Sequence, residues 1–298
     1  MSSYLEANAR ERLRALFDAG SFKEFVAPAE RIVSPHLAQL NAPVAFDDGV
    51  AVGSATLDGQ LVYTAAQEGG FMGGAVGEVH GAKLVGLLRR AVREQVRAVV
   101  LLLETGGVRL HEANAGLIAV SEVMRAVLDT RAAGIPVVVL IGGSNGAFGG
   151  MGIVSRCANV VVMSEEGRLA MSGPEVIETA SGVEEFDSRD RALVWRTTGG
   201  KHRYLLGDCQ MIVADDVAAF RLAAIDAIAS CAAAPVELTL EALEREQLLL
   251  SERLERFGDM ADPLDIWAAL GMAEPNKLPM LEAGAFVSAA APHRLGAN

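Results

Sequence analysis

Cysteine is scarce in this 298-residue chain: Cys157, Cys209 and Cys231 are widely spaced and odd in number. That excludes a disulfide framework and a C-x-x-C zinc or redox site. Histidine is sparse too. His36, His80, His111, His202 and His293 are isolated from one another, with no H-E-x-x-H or comparable pair, so no metal site is expected. Basic charge is outweighed, because 26 Lys and Arg face 38 Asp and Glu for a formal net charge of -12. With no block of basic residues, nucleic acid and anionic membrane are excluded as partners. Lysine is missing between Lys83 and Lys201, across the richest glycine loops, which removes a Walker A phosphate site. A dinucleotide G-x-G-x-x-G fingerprint is absent as well.

Membrane-spanning runs are also lacking. Residues 134–155 carry no charge, but Gly134, Pro136, Ser144, Asn145 and a glycine cluster would break a helix and carry polar groups into hydrocarbon. The N-terminal "MSSYLEANARERLRALF" has charges throughout and no apolar signal-peptide core. A reducing, cytoplasmic location is expected. With 51% hydrophobic and 21% charged residues, the composition is that of a soluble globular protein with ample core.

What is present is an α/β pattern. Ser3 and Glu6 have capping-box spacing, which predicts an N-terminal helix over about 3–18 closed by Gly20. An irregular, proline-punctuated connector follows. Residues 50–66 read as a hairpin turning at Asp58-Gly59. Leu84, Leu87, Leu88 and Ala91 recur at helical spacing, and "AVVLLLE" is a buried-strand run. A helix over about 111–133, the strand "IPVVVLI", a loop and the strand "NVVVM" repeat the pattern, so the central strands should pair in parallel. Further on, "PEVIETA", "RDRALVWRTTGG" and residues 236–256 look helical and "MIVADD" looks like a strand. The Pro-, Gly- and Ala-rich residues 274–298 read as a tail, disordered or lying on a partner. The chain is read as one domain spanning 1–298.

Two glycine-rich loops, "ETGGVRLHEA" (104–113) and "GGSNGAFGGMG" (142–152), both follow buried strands of this parallel set. They should therefore meet at one sheet edge. Gly142 to Gly146 spell G-x-S-x-G, so Ser144 is a candidate hydrolase nucleophile if a histidine (His202 or His293) and an acid (Asp187, Asp190 or Asp208) lie beside it. The other chemistry open to bare backbone is oxyanion stabilisation, in which free N–H groups point at the oxygen of a thioester enolate or tetrahedral species.

Four blocks carry a family resemblance: "ARERLRALFDAGSF" (9–22), "GGAVGEVHGAKLV" (73–85), "ETGGVRLHEA", and "GGSNGAFGGMG" followed by "LAMSGPEVIE" (169–178). In this order they resemble the carboxyltransferase subunits of acyl-CoA carboxylases, over roughly residues 9–220. Within that family the chain looks most like the β subunits of biotin-independent malonate decarboxylases, since it shows no four-cysteine zinc ribbon and reaches the "ARERL" helix almost at once. The resemblance implies a crotonase/Clp-peptidase-like fold of ββα units in a superhelix, one half of a carboxyltransferase pair. It implies an active site shared with a homologous γ subunit, and an α transferase subunit that exchanges acetyl for malonyl. The substrate would be a malonyl thioester on an acyl carrier protein, held by its phosphoribosyl-dephospho-CoA arm, with no biotin and no metal.

Decarboxylation of that thioester leaves an enolate, so the step needs hydrogen-bond donors rather than a nucleophile. The N–H groups of Gly106, Gly107 or Val108 are expected to form one oxyanion hole, with Gly149 and Gly150 contacting the carboxylate or departing carbon dioxide; the reverse assignment, and a hole supplied mainly by the partner subunit, are the alternatives. Leu110, Phe148 and Met151 are placed to line the site or to pack the core. His111 is the candidate proton donor. The alternatives are a carboxyltransferase β subunit of an acyl-CoA carboxylase, a serine hydrolase using Ser144, and a non-catalytic scaffold subunit.

Overall fold

The computed structural model describes residues 3–41, 49–233 and 239–296. Their strands β1 (Lys23–Glu24), β2 (Val50–Leu57), β3 (Gln60–Gln67), β4 (Val99–Leu103), β5 (Val137–Ile141), β6 (Val160–Ser164) and β7 (Met211–Val213) form one sheet in chain order. The β1–β2 and β2–β3 pairs are antiparallel and the rest parallel. The hairpin turns at Asp58-Gly59, where φ values of 52° and 71° give the doubly left-handed turn that matches strand twist. Asp18 secures it by accepting from the Asp58 and Gly59 amides at 3.2 and 2.9 Å.

The helices are α1 (Ala9–Leu16), α2 (Glu78–Glu94), α3 (Asn114–Ala132), α4 (Gly150–Cys157), α5 (Pro174–Ser181), α6 (Arg191–Thr198), α7 (Gly200–Leu205), α8 (Val217–Ala233), α9 (Leu240–Phe257), α10 (Pro263–Ala269) and α11 (Ala283–Ala290). They cover both sheet faces. Strands β4 and β5 are buried along their whole length, and alternate side chains serve two cores. Val99, Leu101, Leu103, Val137, Val139 and Ile141 meet Leu84, Val123 and Met151 from α2, α3 and α4. Val100, Leu102, Val138 and Leu140 meet Leu13 of α1 and Phe220 of α8 on the other face. Each such side chain contributes about 1.5–3 kcal/mol. The C-terminal ends of β4 and β5 are therefore fixed points from which their loops depart.

Beyond those ends the chain forms a second set of short pairings, Val76 with Val108, Thr105 with Ala147, and Ala147 with Leu169, all parallel. This layer laces the loops after β3, β4, β5 and β6 to one another.

Two expectations are corrected and the bounds of a third are adjusted. The first helix does not begin at Ser3. Asn8 and Glu11 form the capping box, with Glu11 N–H donating to Asn8 and Asn8 N–H donating to Glu11. Residues before it are held by Tyr4, which is fully buried and stacked on Phe220 at 4.1 Å. The helix read over 236–256 is capped by Thr239 and runs over Leu240–Phe257, while residues 236–238 lie outside the described residues. The C-terminal segment is no loose tail: Phe286 is fully buried against Tyr204, and Lys201 Nζ donates to the Pro279 and Leu281 carbonyls at 2.8 Å each. Of that segment, Ala297 and Asn298 lie outside the described residues. Composition is the wrong guide there, because an aromatic anchor, Phe286, does the packing.

Candidate active site

The two glycine loops meet at the C-terminal edge of the sheet. Thr105 N–H donates to the Gly146 carbonyl at 2.8 Å, and Phe148 N–H donates to the Thr105 carbonyl at 3.0 Å. Gly107 also packs against Gly149: a Cβ at Gly149 would lie 3.2 Å from the Gly107 Cα and 3.9 Å from the Val108 nitrogen. Gly149 also has φ of 59°, in the left-handed region that favours glycine. Both its conformation and its neighbour therefore require the absence of a side chain.

Several of the expected donors are already in use. Gly106 N–H donates to the Gly73 carbonyl at 2.8 Å, Gly107 N–H to Thr105 Oγ1 at 3.1 Å, and Gly149 N–H to the Met171 carbonyl at 2.9 Å. Among the described residues, the amides of Val108 and Gly150 have no acceptor. These two free amides flank the Gly107–Gly149 contact. Gly150 opens α4, so its N–H stands at the positive end of that helix, where anionic oxygen is favoured.

Phe148 and Met151 are buried and belong to the packing beneath the loops. Leu110 is 85% exposed, and with exposed His111 it stands on a short 3-10 turn outside the loop contact. Leu117 and Ile118 on α3 and Met171 beyond β6 are exposed as well, by 56 to 62%.

Ser144 has no histidine partner. Its hydroxyl donates to Glu104 Oε1 at 3.2 Å, and its carbonyl accepts from Arg168. His202 is buried, accepts from Trp267 Nε1 at 3.1 Å, and is pulled down by burial to a pKa of about 3. His293 bonds the Leu270 carbonyl. The candidate acids are committed elsewhere: Asp208 pairs with Arg203 and Arg253, Asp190 caps α6, and Asp187 accepts from the Arg189 amide. The serine triad is not assembled. A cleft of about 530 Å³ opens beside Ser144, lined by Arg168, Arg189, Arg191 and Trp195 among others.

Sequence reading missed the group beneath the loops. Glu104, the first residue after β4, is buried and paired with Arg12 of α1, itself 1% exposed. An acid that directly follows five apolar residues is the signal that was available, since a buried carboxylate requires a cation or several donors. Among the described residues no three His, Cys, Asp or Glu are grouped to hold a metal, and no helix is long and apolar enough to cross a membrane.

A mixed sheet continued by a second ladder of loop pairings, with glycine-bordered free amides at its edge, defines a crotonase-like α/β protein. The carboxyl transferase domain matches residues 6–234. The chain belongs to the carboxyl transferase family. It is 40% identical to the malonyl-S-ACP:biotin-protein carboxyltransferase of Malonomonas rubra, over 93% of this chain and 92% of that protein. A solved Pseudomonas malonate decarboxylase hetero-tetramer in complex with malonate contains a chain that is 40% identical, with a TM-score of 0.75 over 87% of this chain and 91% of that one. The acetyl-coenzyme A carboxylase carboxyl transferase subunit beta of Fusobacterium nucleatum is 30% identical over 59% of each chain.

Proposed function

We propose that this chain is the β subunit of a malonate decarboxylase, converting a malonyl thioester on an acyl carrier protein into the acetyl thioester and carbon dioxide. The observation that carries this reading is the pair of free amides, Val108 and Gly150, on either side of the Gly107–Gly149 contact. The C2–carboxylate bond breaks, its electron pair passes into the thioester carbonyl, and an enolate oxygen forms as carbon dioxide departs. One amide holds that oxygen, and the other holds the carboxylate before it leaves. Removing such a donor typically costs about 100- to 1000-fold in rate. A proton then adds to C2 from exposed His111 or from water.

The carrier's phosphoribosyl-dephospho-CoA arm brings the thioester to the loops. A homologous γ subunit covers Leu110, Leu117, Ile118 and Met171 and completes the site, and an α subunit exchanges acetyl for malonyl on the carrier. The hetero-tetrameric assembly of the Pseudomonas relative supports a multi-subunit setting. A cytoplasmic location, and independence of biotin and metal, belong to the same reading.

The test is carbon dioxide release from malonyl carrier by this chain with and without the homologous partner, biotin excluded. Turnover by the pair alone supports the reading, and none under any pairing overturns it. A second reading, transfer of the carboxyl group to biotin, is favoured by the name of the Malonomonas relative. It predicts that turnover requires an added biotin protein. Should the partner turn over unchanged when Val108 and Gly150 are altered, the chain is a scaffold.

A further inference from the structure

The pairing of Glu104 with Arg12 ties together separate parts of the chain. Glu104 is the junction between β4 and the first glycine loop, and its own amide donates to Gln67 Oε1 at 3.0 Å. Its carboxylate crosses to the second loop. Oε1 accepts from Ser144 at 3.2 Å, and Oε2 accepts from Arg12 Nη1 of α1. Arg12 is anchored in turn: Nε donates to the Tyr4 carbonyl at 2.9 Å, Nη2 to the Leu5 carbonyl at 3.3 Å, and the guanidinium lies 4.5 Å over the Tyr4 ring. Two glycines give way to this carboxylate. A Cβ at Gly143 would lie 2.5 Å from Glu104 Oε2, and one at Gly69 would lie 2.6 Å from Oε1.

A buried ion pair adds little net stability on average, because desolvation offsets most of the attraction. What it does supply is fixed geometry. The backbone hydrogen bonds between the two loops are made by a single residue, Thr105, to Gly146 and Phe148. The Glu104–Ser144 contact is a further tie, made by side chains, that acts with the Thr105 hydrogen bonds and the Gly107–Gly149 contact in fixing the orientation of the loops. The orientation in question is that of Val108 and Gly150, the free amides.

We propose that Glu104 is a positioning residue, held by Arg12 and acting through Ser144, that sets the two glycine loops at the angle and separation the oxyanion contacts require. This role rests on the decarboxylase reading given above. It also reassigns Ser144, whose hydroxyl proton is committed to a carboxylate, from candidate nucleophile to strut.

Three variants test it: Ser144→Ala, Ser144→Thr, and the double replacement Arg12→Met with Glu104→Met, which removes both charges together and leaves neither buried alone. Each is measured in the assembled complex for kcat, KM and melting temperature, and as the full chain for amide hydrogen exchange. Ser144→Ala should lower kcat about tenfold with KM within about twofold and the melting temperature unchanged, short of the roughly hundredfold loss that a 1 Å misplacement can bring. Ser144→Thr, which keeps the hydroxyl, should return kcat to within about twofold of the parent. The double replacement should lower kcat about a hundredfold. In the alanine and double variants the Thr105 and Phe148 amides should exchange about tenfold faster, as expected for a local opening.

Unchanged kcat and unchanged exchange in Ser144→Ala overturn the proposal, as does a kcat loss that only follows melting temperature or that threonine fails to restore. If the parent complex releases no carbon dioxide, the functional reading fails by itself. Exchange at Thr105 and Phe148 then decides the strut alone, with retained protection overturning it. If the double replacement does not fold, Ser144→Ala decides by the same criteria.

Discussion

Substituting Gly149 by alanine tests the loop contact most directly. The added Cβ meets the Gly107 Cα at 3.2 Å, and the backbone at φ of 59° must carry a side chain in a left-handed conformation. With φ of 59° and ψ of -140° the backbone lies outside the left-handed helical well, and the conformational part costs roughly 1–3 kcal/mol. At roughly 2–4 °C per kcal/mol for domains of comparable size, the melting temperature should fall by several degrees. The catalytic effect should be larger. Relieving the contact parts Gly107 from Gly149 and moves Val108 N–H away from Gly150 N–H, so one donor is lost to the oxyanion. That costs about 2.7–4 kcal/mol, or 100- to 1000-fold in kcat. The assay is carbon dioxide release from malonyl carrier by the assembled complex, run beside a thermal melt and a binding measurement for the partner. Gly86→Ala is the control: it lies within α2, and its Cβ would meet nothing within 4 Å. It should leave turnover unchanged and stabilise the helix by roughly 0.5–1 kcal/mol. A folded, partner-bound Gly149→Ala complex with turnover within about threefold of the parent would refute the oxyanion argument.

Leu110→Asp or Met171→Asp should leave the melting temperature within about 2 °C, because both side chains are exposed, yet abolish co-purification with a homologous partner; retained assembly would remove that surface from the interface. Phe286→Ala should destabilise the isolated chain by about 3–5 kcal/mol in denaturant unfolding, since its ring is fully buried against Tyr204; a near-zero effect would restore the reading of a loose tail. His202 is neutral when folded, with its pKa depressed to about 3 by burial, but binds a proton below its ordinary 6.5 when unfolded. Its contribution is therefore complete above pH 6.5 and declines by up to about 1.4 kcal/mol per unit as the pH falls towards 3. His202→Gln, compared by urea midpoints at pH 7 and pH 5, should show a shallower decline than the parent.

The strands and loop ends were legible because their signals are local. Short apolar runs rich in β-branched residues and bounded by turn signals read as buried strands, Asp58-Gly59 suits a hairpin turn, and parallel strands bring their loops to one edge. Helix α8 was not legible. Its buried stripe, Val217, Phe220, Ala223, Ala224, Ala227 and Ile228, packs on α1 and strands β5 to β7, but the opposite, exposed face carries Ala218, Leu222 and Ala229, so no polar face sets off the helical period. The ends of the chain failed for a different reason. Tyr4 and Phe286 are single aromatic anchors whose partners, Phe220 and Tyr204, lie far along the sequence. The Arg12–Glu104 pair has the same character, 92 residues apart, and only the folded chain puts the cation beside the acid.

The glycine run after β5 shows how composition can mislead about which residues are donors. Bare backbone suggests free N–H groups, yet most of these glycines are bare so that something else can come close. Gly143 leaves room for the Glu104 carboxylate, and Gly149 leaves room for Gly107 while its own N–H is spent on Met171. Gly150 would otherwise strike Val120, with a Cβ only 2.4 Å from its Cγ1, and it keeps the free amide that Gly149 lacks. Val108, which is not a glycine, supplies the second. A donor is free because its acceptor has been excluded by neighbouring geometry, and a residue type does not encode that. Mutational scanning of the run should therefore separate two kinds of glycine: at Gly143 the defect should be shared with Glu104 and Ser144 variants and be non-additive with them, because they occupy one contact. At Gly150 it should add to the Ser144 defect. Strict additivity at Gly143 would mean that the carboxylate is not what keeps that position bare.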